Sequence, residues 1–137
     1  MRVLVVDDEP DVLLLCRVNM EFAGHEVIEA PDAIAALQMI FADPPDLIVL
    51  DVMLPGKDGV EMLRELRADP VIAQIPVILL TAKTQHHDVM TGYDAGADDY
   101  ITKPFSPSVL MNSIEHVLRM SPEERLDRRR KALGLDQ

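Results

Sequence analysis

The chain has 137 residues and a net charge of −11, a size that fits one domain and buries roughly two thirds of its unfolded surface without help from a disulfide or a structural metal. Its single cysteine, Cys16, excludes an internal disulfide and a cysteine-based zinc centre. The charge is uneven, with 20 acidic against 7 basic residues over 1–118 and 4 against 6 over 119–137; a body this acidic repels a phosphate backbone, which argues against direct nucleic-acid binding.

Apolar runs alternate with helix-period segments from the first residues onward. Val3-Leu4-Val5-Val6 reads as a first strand. With that strand at the N-terminus, with no signal-peptide pattern and no apolar run of about 18 residues, the chain is expected to be soluble and cytoplasmic, with no membrane partner. Pro10 stands where a first helical turn should begin, and Gly24 where that helix should stop. Val27-Ile28 is a second strand, followed by Pro31 at another helix start and by Ile34, Leu37 and Phe41 as an inward stripe at i, i+3, i+7. Leu47-Ile48-Val49-Leu50 is a third strand, and Met62, Leu63 and Leu66 mark a third helix. Val77-Ile78-Leu79-Leu80 is a fourth strand. The helical pattern over 85–95 is thin, resting on Val89, Met90 and Tyr93, and Gly96 ends it. Tyr100-Ile101 is a fifth strand. Leu110, Ile114, Val117 and Leu118 stripe a fifth helix.

Continuous rather than alternating apolar strands are covered on both faces, which is the property of a parallel sheet between helix layers. Five βα units with right-handed crossovers predict a doubly wound α/β fold with strand order 2-1-3-4-5. Beyond it, Ser121-Pro122-Glu123-Glu124 is a capping box with proline in the first turn, and Gly134 ends that helix. Its apolar stripe is only Leu126, Ala132 and Leu133, so a solvated or partner-packed sixth helix is expected. The division is a domain over 1–119 and a helical extension over 120–137.

Open α/β sheets bind ligands outside the carboxyl ends of their strands. Strand 1 ends in Asp7-Asp8, strand 3 in Asp51, strand 4 in Thr81 and strand 5 in Lys103-Pro104. Taken singly these are weak signals, since an acidic pair after a strand is commonly a cap and a lysine before proline commonly surface. They gain meaning by converging on one edge. Three carboxylates there repel, at about 3 kcal/mol per pair for a separation of about 5 Å. Lys103 offsets one charge, and oxygen donors without histidine or cysteine suit a hard divalent ion, Mg²⁺ above all where phosphate is involved. A carboxylate can attack phosphorus, and phosphoryl transfer asks mainly for positioning and charge stabilisation. Asp51 is then the nucleophile, Asp7 and Asp8 hold the metal, Lys103 neutralises phosphoryl oxygens, and Thr81 donates a hydroxyl.

Asp7-Asp8, Asp51-Val-Met-Leu-Pro-Gly-Lys-Asp-Gly59, Thr81-Ala82 and Lys103-Pro104-Phe105 together resemble a response-regulator receiver domain, over about residues 2–119. The resemblance implies a flavodoxin-like, chemotaxis-receiver-like fold in two-component signalling. It implies phosphorylation of Asp51 by a sensor histidine kinase or phosphotransfer protein, and catalysis by the chain only of its own phosphorylation and dephosphorylation. It implies Mg²⁺ on Asp8, Asp51 and the Met53 carbonyl with Asp7 acting through water, and a cis bond before Pro104. Thr81 and Tyr100 would form the switch, with Thr81 moving toward the phosphate and Tyr100 rotating inward. That would reshape the face of the fourth helix, fifth strand and fifth helix for a downstream protein target, and it leaves room for a homodimer on phosphorylation. Met53 and Lys83 fall where the family tunes phosphate lifetime, and Met53 offers no hydrogen bond to an attacking water, so slow dephosphorylation is expected.

The remaining features read as ordinary. His86-His87-Asp88 is a polar helix start lacking a fourth metal ligand. Arg128-Arg129-Arg130-Lys131 is a solvated helix face with Glu123, Glu124 and Asp127 as counter-charges. Cys16 is buried and inert. A phosphohydrolase of the aspartyl-phosphate kind would want an acid at Met53, and a flavin or nucleotide binder would not place Asp7-Asp8-Glu9-Pro10 against phosphate. A phosphorylation-independent interaction module has no need of so complete a site. A stand-alone protein and a piece of a longer regulator both remain open.

Overall fold

The computed structural model describes residues 1–82 and 92–135. In chain order the elements are β1 (Arg2–Val6), α1 (Pro10–Phe22), β2 (Glu26–Ala30), α2 (Ala33–Ala42), β3 (Leu47–Asp51), α3 (Gly59–Ala68), β4 (Val77–Ala82), α4 (described over 92–95), β5 (Asp99–Lys103), α5 (Pro107–Arg119) and α6 (Pro122–Ala132). The five strands form one sheet in the order β2-β1-β3-β4-β5, every neighbouring pair parallel. This is the doubly wound arrangement expected from the apolar runs. Residues 85–91 of the predicted fourth helix, with His86, His87 and Asp88, lie outside the described residues, as does Lys83. No helix among the described residues is long and apolar enough to cross a membrane.

Alternate side chains of each strand feed opposite layers. Leu4, Val6, Ile48, Leu50, Val77 and Leu79 meet Ala33, Ala36 and Ile40 of α2 and Met62, Leu63 and Leu66 of α3. Val3, Val5, Leu47, Val49, Ile78 and Leu80 meet Cys16 and Met20 of α1 and Leu110, Ile114 and Val117 of α5. Each fully buried aliphatic side chain contributes about 1.5–3 kcal/mol, so the two layers carry the fold. Cys16 is buried as expected, and burial, with the charge of Asp7 adding to it, pushes its thiol up to about 12, which keeps it unreactive.

Helix starts follow their cap residues. The side chains of Asp32, Asp58 and Ser106 accept from the backbone N–H of Ala35, Val60 and Val109. Pro10, Pro107 and Pro122 occupy first turns. Pro31 does not: Asp32 is the cap of α2, so the proline lies one residue outside it.

Two stripes differ from expectation. Helix α2 buries Ala33, Ala36 and Ile40, while Ile34 and Phe41 are exposed and Leu37 is half-buried. Its sequence is apolar on nearly every side, so several stripes satisfy the helical period, and the small alanines allow the closer approach to the sheet. Helix α6 keeps most of its surface in water, as expected, and Leu126 is exposed; what it seats against the sheet is not the apolar stripe but Arg125, its buried residue. Arg128 and Arg129, expected to face water, reach Asp98 and Asp99 at the foot of β5 instead. Lys131 keeps the expected pairing with Asp127. The capping box of Ser121 and Glu124 is present in both directions, and Gly134 takes the left-handed φ of +72° that ends the helix.

Candidate functional site

Strands β1 and β3 are neighbours whose following connections diverge, to α1 on one face and α3 on the other. That divergence opens a crevice at their carboxyl ends. Asp7 follows β1, Asp51 closes β3, Thr81 is the penultimate residue of β4, and Lys103 closes β5. The sheet therefore brings together the residues expected from the sequence. An open cleft of about 540 Å³ is lined there by Asp8, Glu9, Asp51, Met53, Lys103 and Pro104 together with apolar neighbours that include Phe105.

Lys103 is the tie between the strands. Its Nζ donates to Asp51 Oδ2 at 3.2 Å and to Glu9 Oε1 at 3.1 Å, and lies 2.9 Å from Asp7 Oδ2. Burial works against its charge, but the partnership with Asp7, with Asp51 and Glu9 adding to it, outweighs that and holds the ammonium above its ordinary pKa. Asp51 is 3% exposed. Burial, reinforced by the charge of Asp7, raises its carboxyl above the ordinary value, while the Met53 amide at 3.1 Å and Lys103 pull the other way. The bond between Lys103 and Pro104 is cis.

Carboxylate oxygens of Asp7, Asp8, Glu9 and Asp51 lie within 4.8 Å of one another. Glu9 was not anticipated as part of this group; its signal was its place directly after Asp7-Asp8, and its backbone N–H accordingly binds Asp7 Oδ1 at 2.9 Å. Four carboxylates face one ammonium, so a divalent ion would bring the balance closer to neutral. Asp7 Oδ2 is buried, and the Lys103 ammonium at 2.9 Å is the positive charge it meets there. The residues fit a hard divalent cation. Thr81 is 1% exposed, and its hydroxyl has no partner among the described residues. Tyr100 is 39% exposed, its ring edge-on to Tyr93 at 5.6 Å between centroids.

Gly59 holds the β3 end in place. A Cβ there would meet the Asp51 carbonyl oxygen at 2.2 Å, and the Gly59 N–H donates to the Val52 carbonyl at 2.9 Å. Only glycine lets the first turn of α3 come this close to the Asp51 backbone.

An all-parallel doubly wound sheet, with an acidic crevice at the β1/β3 switch point and a lysine tying its carboxylates, defines a flavodoxin-like domain of the signalling-receiver type. Residues 3–115 match the response regulator receiver domain family, and the chain belongs to that family. It is 44% identical over 120 residues to the alkaline phosphatase synthesis transcriptional regulatory protein PhoP of Bacillus subtilis, covering 88% of this chain and 49% of that protein. It is 45% identical over 117 residues to the phosphate regulon transcriptional regulatory protein PhoB of Pseudomonas aeruginosa, covering 85% of this chain and 51% of that protein. The chain thus spans about half the length of these curated relatives. Among solved structures, the BeF3-activated N-terminal receiver domain of Klebsiella pneumoniae RstA superposes with a TM-score of 0.80 at 33% identity, covering 88% of this chain and 100% of that one.

Proposed function

We infer that the chain is a phosphorylation switch in which Asp51 receives a phosphoryl group from a histidine of a sensor kinase or phosphotransfer protein. The observation that carries this reading is the buried Asp51 carboxylate beside Lys103 in an acidic crevice open to solvent. An Asp51 oxygen forms a bond to phosphorus as the bond from phosphorus to the donor imidazole nitrogen breaks; the nitrogen keeps the electron pair and takes up a proton from solvent. Lys103, already within reach of Asp51, pairs with a phosphoryl oxygen, and the amide of Met53 keeps the carboxylate oriented. Asp7, Asp8, Asp51 and the backbone of Met53 would hold Mg²⁺, which when bound supplies neutralising charge to the phosphoryl oxygens.

The Thr81 hydroxyl, without a partner among the described residues, is the natural donor to the new phosphate. Tyr100, outward here, then has reason to turn inward beside β4, reshaping the surface of α4, β5 and α5 that a downstream protein reads. The receiver unit is 1–119, with 120–137 as its helical extension, acting in the cytoplasm. The chain catalyses only its own phosphorylation and dephosphorylation, and Met53 makes the latter slow.

Intact-mass measurement after incubation with acetyl phosphate and Mg²⁺ tests this. A gain of one phosphate that needs the metal and is lost in Asp51→Asn is the expected result. An unmodified mass would overturn the assignment.

A further inference from the structure

Helix α6 is attached in an unusual way. Its buried residue is an arginine, Arg125, at 6% exposure, and Arg128-Arg129-Arg130 run into its last turn. What it grips is Asp98, a carboxylate 1% exposed at the foot of β5. Asp98 Oδ2 accepts from Arg125 Nη1 at 3.2 Å and Oδ1 from Arg129 Nη1 at 2.6 Å. Arg128 Nη1 donates to the Asp98 carbonyl at 2.8 Å, and Arg125 Nη2 to the Gln74 carbonyl at 2.8 Å. Docking thus rests on charge-assisted hydrogen bonds with little apolar burial behind them. Such contacts are directional, and the desolvation of the ions offsets much of their attraction.

Asp98 is not left alone when α6 is removed. Arg67 of α3 donates Nη2 to Asp98 Oδ2 at 3.0 Å, and the Val77 N–H donates to the same oxygen at 2.8 Å. The buried charge stays paired in both arrangements, which a two-state element requires and a permanent structural joint does not. Docking in fact crowds the site: Arg67, Arg125 and Arg129 surround one carboxylate. Burial, together with the repulsion of Arg129 and Arg125, pulls the Arg67 guanidinium down to about 10.

The latch also touches the switch face. Arg128 pairs with Asp99 Oδ1 at 3.4 Å, and Asp99 Oδ2 accepts from Ser113 of α5 at 2.6 Å. Arg128 shares an open cleft with Tyr93, Asp99, Tyr100 and Val109. With Tyr100 outward, the ring and the guanidinium wall the same space.

We propose that α6 is a releasable arginine latch: docked on Asp98 and Asp99 in the unphosphorylated chain, it obstructs the Tyr100 face, and phosphorylation of Asp51 releases it. This rests on the phosphorylation reading above. Inward rotation of Tyr100 removes one wall of the cleft that holds Arg128, and the loss of one contact tips a helix held by polar contacts. The docked helix is an autoinhibitory contact, because a partner approaching Tyr100 meets Arg128.

The test is amide hydrogen exchange over residues 122–132 of the full chain, before and after phosphorylation, with phosphate gain followed by mass. Exchange in α6 is expected to rise by about tenfold or more on phosphorylation, as for a locally opened unit. The Arg125→Ala/Arg129→Ala double variant is expected to reach the same level without phosphate while β1 and β3 stay protected. Arg128→Ala, which removes the Arg128 contact while leaving the Asp98 carboxylate bonded to Arg125 and Arg129, is expected to raise α6 exchange in the unmodified chain toward the phosphorylated level and so to blunt the further response to phosphate. Phosphate gain with unchanged α6 exchange overturns the latch and leaves Asp51 as acceptor. Failure to take up phosphate overturns both. Loss of β1 and β3 protection in the double variant would make α6 a fixed part of the core and overturn the latch.

Discussion

Asp51 carries its charge at 3% exposure, and its carboxyl pKa is raised first by burial and then by Asp7. A carboxyl whose folded value lies above its ordinary 3.8 holds its proton more tightly when folded. Stability attributable to it is therefore greatest below the ordinary value and is lost as pH rises through the folded one. Without metal, Asp51→Asn is expected to be more stable than the parent at neutral pH. Thermal unfolding in chelator checks this: the gap should close on acidification toward the ordinary carboxyl range, and a gap that widens there would assign the effect to another group. Gly59 acts on the same carboxylate through the backbone. A methyl at Gly59 has to displace the Asp51 carbonyl or the first turn of α3. Gly59→Ala is expected to cost about 1–3 kcal/mol in urea unfolding and to slow phosphorylation by acetyl phosphate; unchanged phosphorylation kinetics would mean that the β3 end is not positioned by this approach.

At the scale of elements, α3 and α6 are each held by identifiable polar contacts in addition to packing. Arg67 in the last turn of α3 donates to the carbonyls of Gly96, Ala73 and Ile75 as well as to Asp98. It ties the α3–β4 connection to the turn before β5. Arg67→Ala leaves three carbonyls short of a donor and is expected to lower stability by about 3 kcal/mol, read as a shift in urea midpoint without a change in slope. For α6, the reciprocal bonds between Ser121 and Glu124 start the helix. Ser121→Ala is expected to cost about 1 kcal/mol of helix stability. Hydrogen exchange confined to 122–132 should report it, and an effect spread through the sheet would contradict the picture of α6 as a separately opening unit.

For the molecule as a whole, the balance of charge matters more than any pair. The net −11 is concentrated in the receiver body, and its densest point is the crevice of Asp7, Asp8, Glu9 and Asp51. A cation that binds only the folded state stabilises by mass action, by about 2.7 kcal/mol at a hundredfold excess over its dissociation constant. Mg²⁺ is expected to raise the unfolding temperature of the parent and to do so far less in Asp51→Asn. Equal stabilisation of both would place the ion elsewhere.

The sheet and its edge were legible in the chain itself. Continuous apolar runs at Val3–Val6, Leu47–Leu50 and Val77–Leu80 can be satisfied only by strands covered on both sides, and the residue that ends each run is then committed to one edge. This is why Asp7, Asp51 and Thr81 fall on one edge from the sequence alone, whereas Lys103 follows only the short run Tyr100-Ile101 and gains its place by converging with them. The face of α2 could not be read, because a helix apolar on nearly every side satisfies its period in several ways, and only contact with the sheet selects Ala33, Ala36 and Ile40. The seat of α6 was equally hidden. Arginines on a helix look solvated until a buried acid is brought beneath them, and Asp98 reaches Arg125 and Arg129 only because β5 pairs with β4. Apolar patterning is a local property of the chain, whereas the pairing of charges remote in sequence exists only once the strands are aligned.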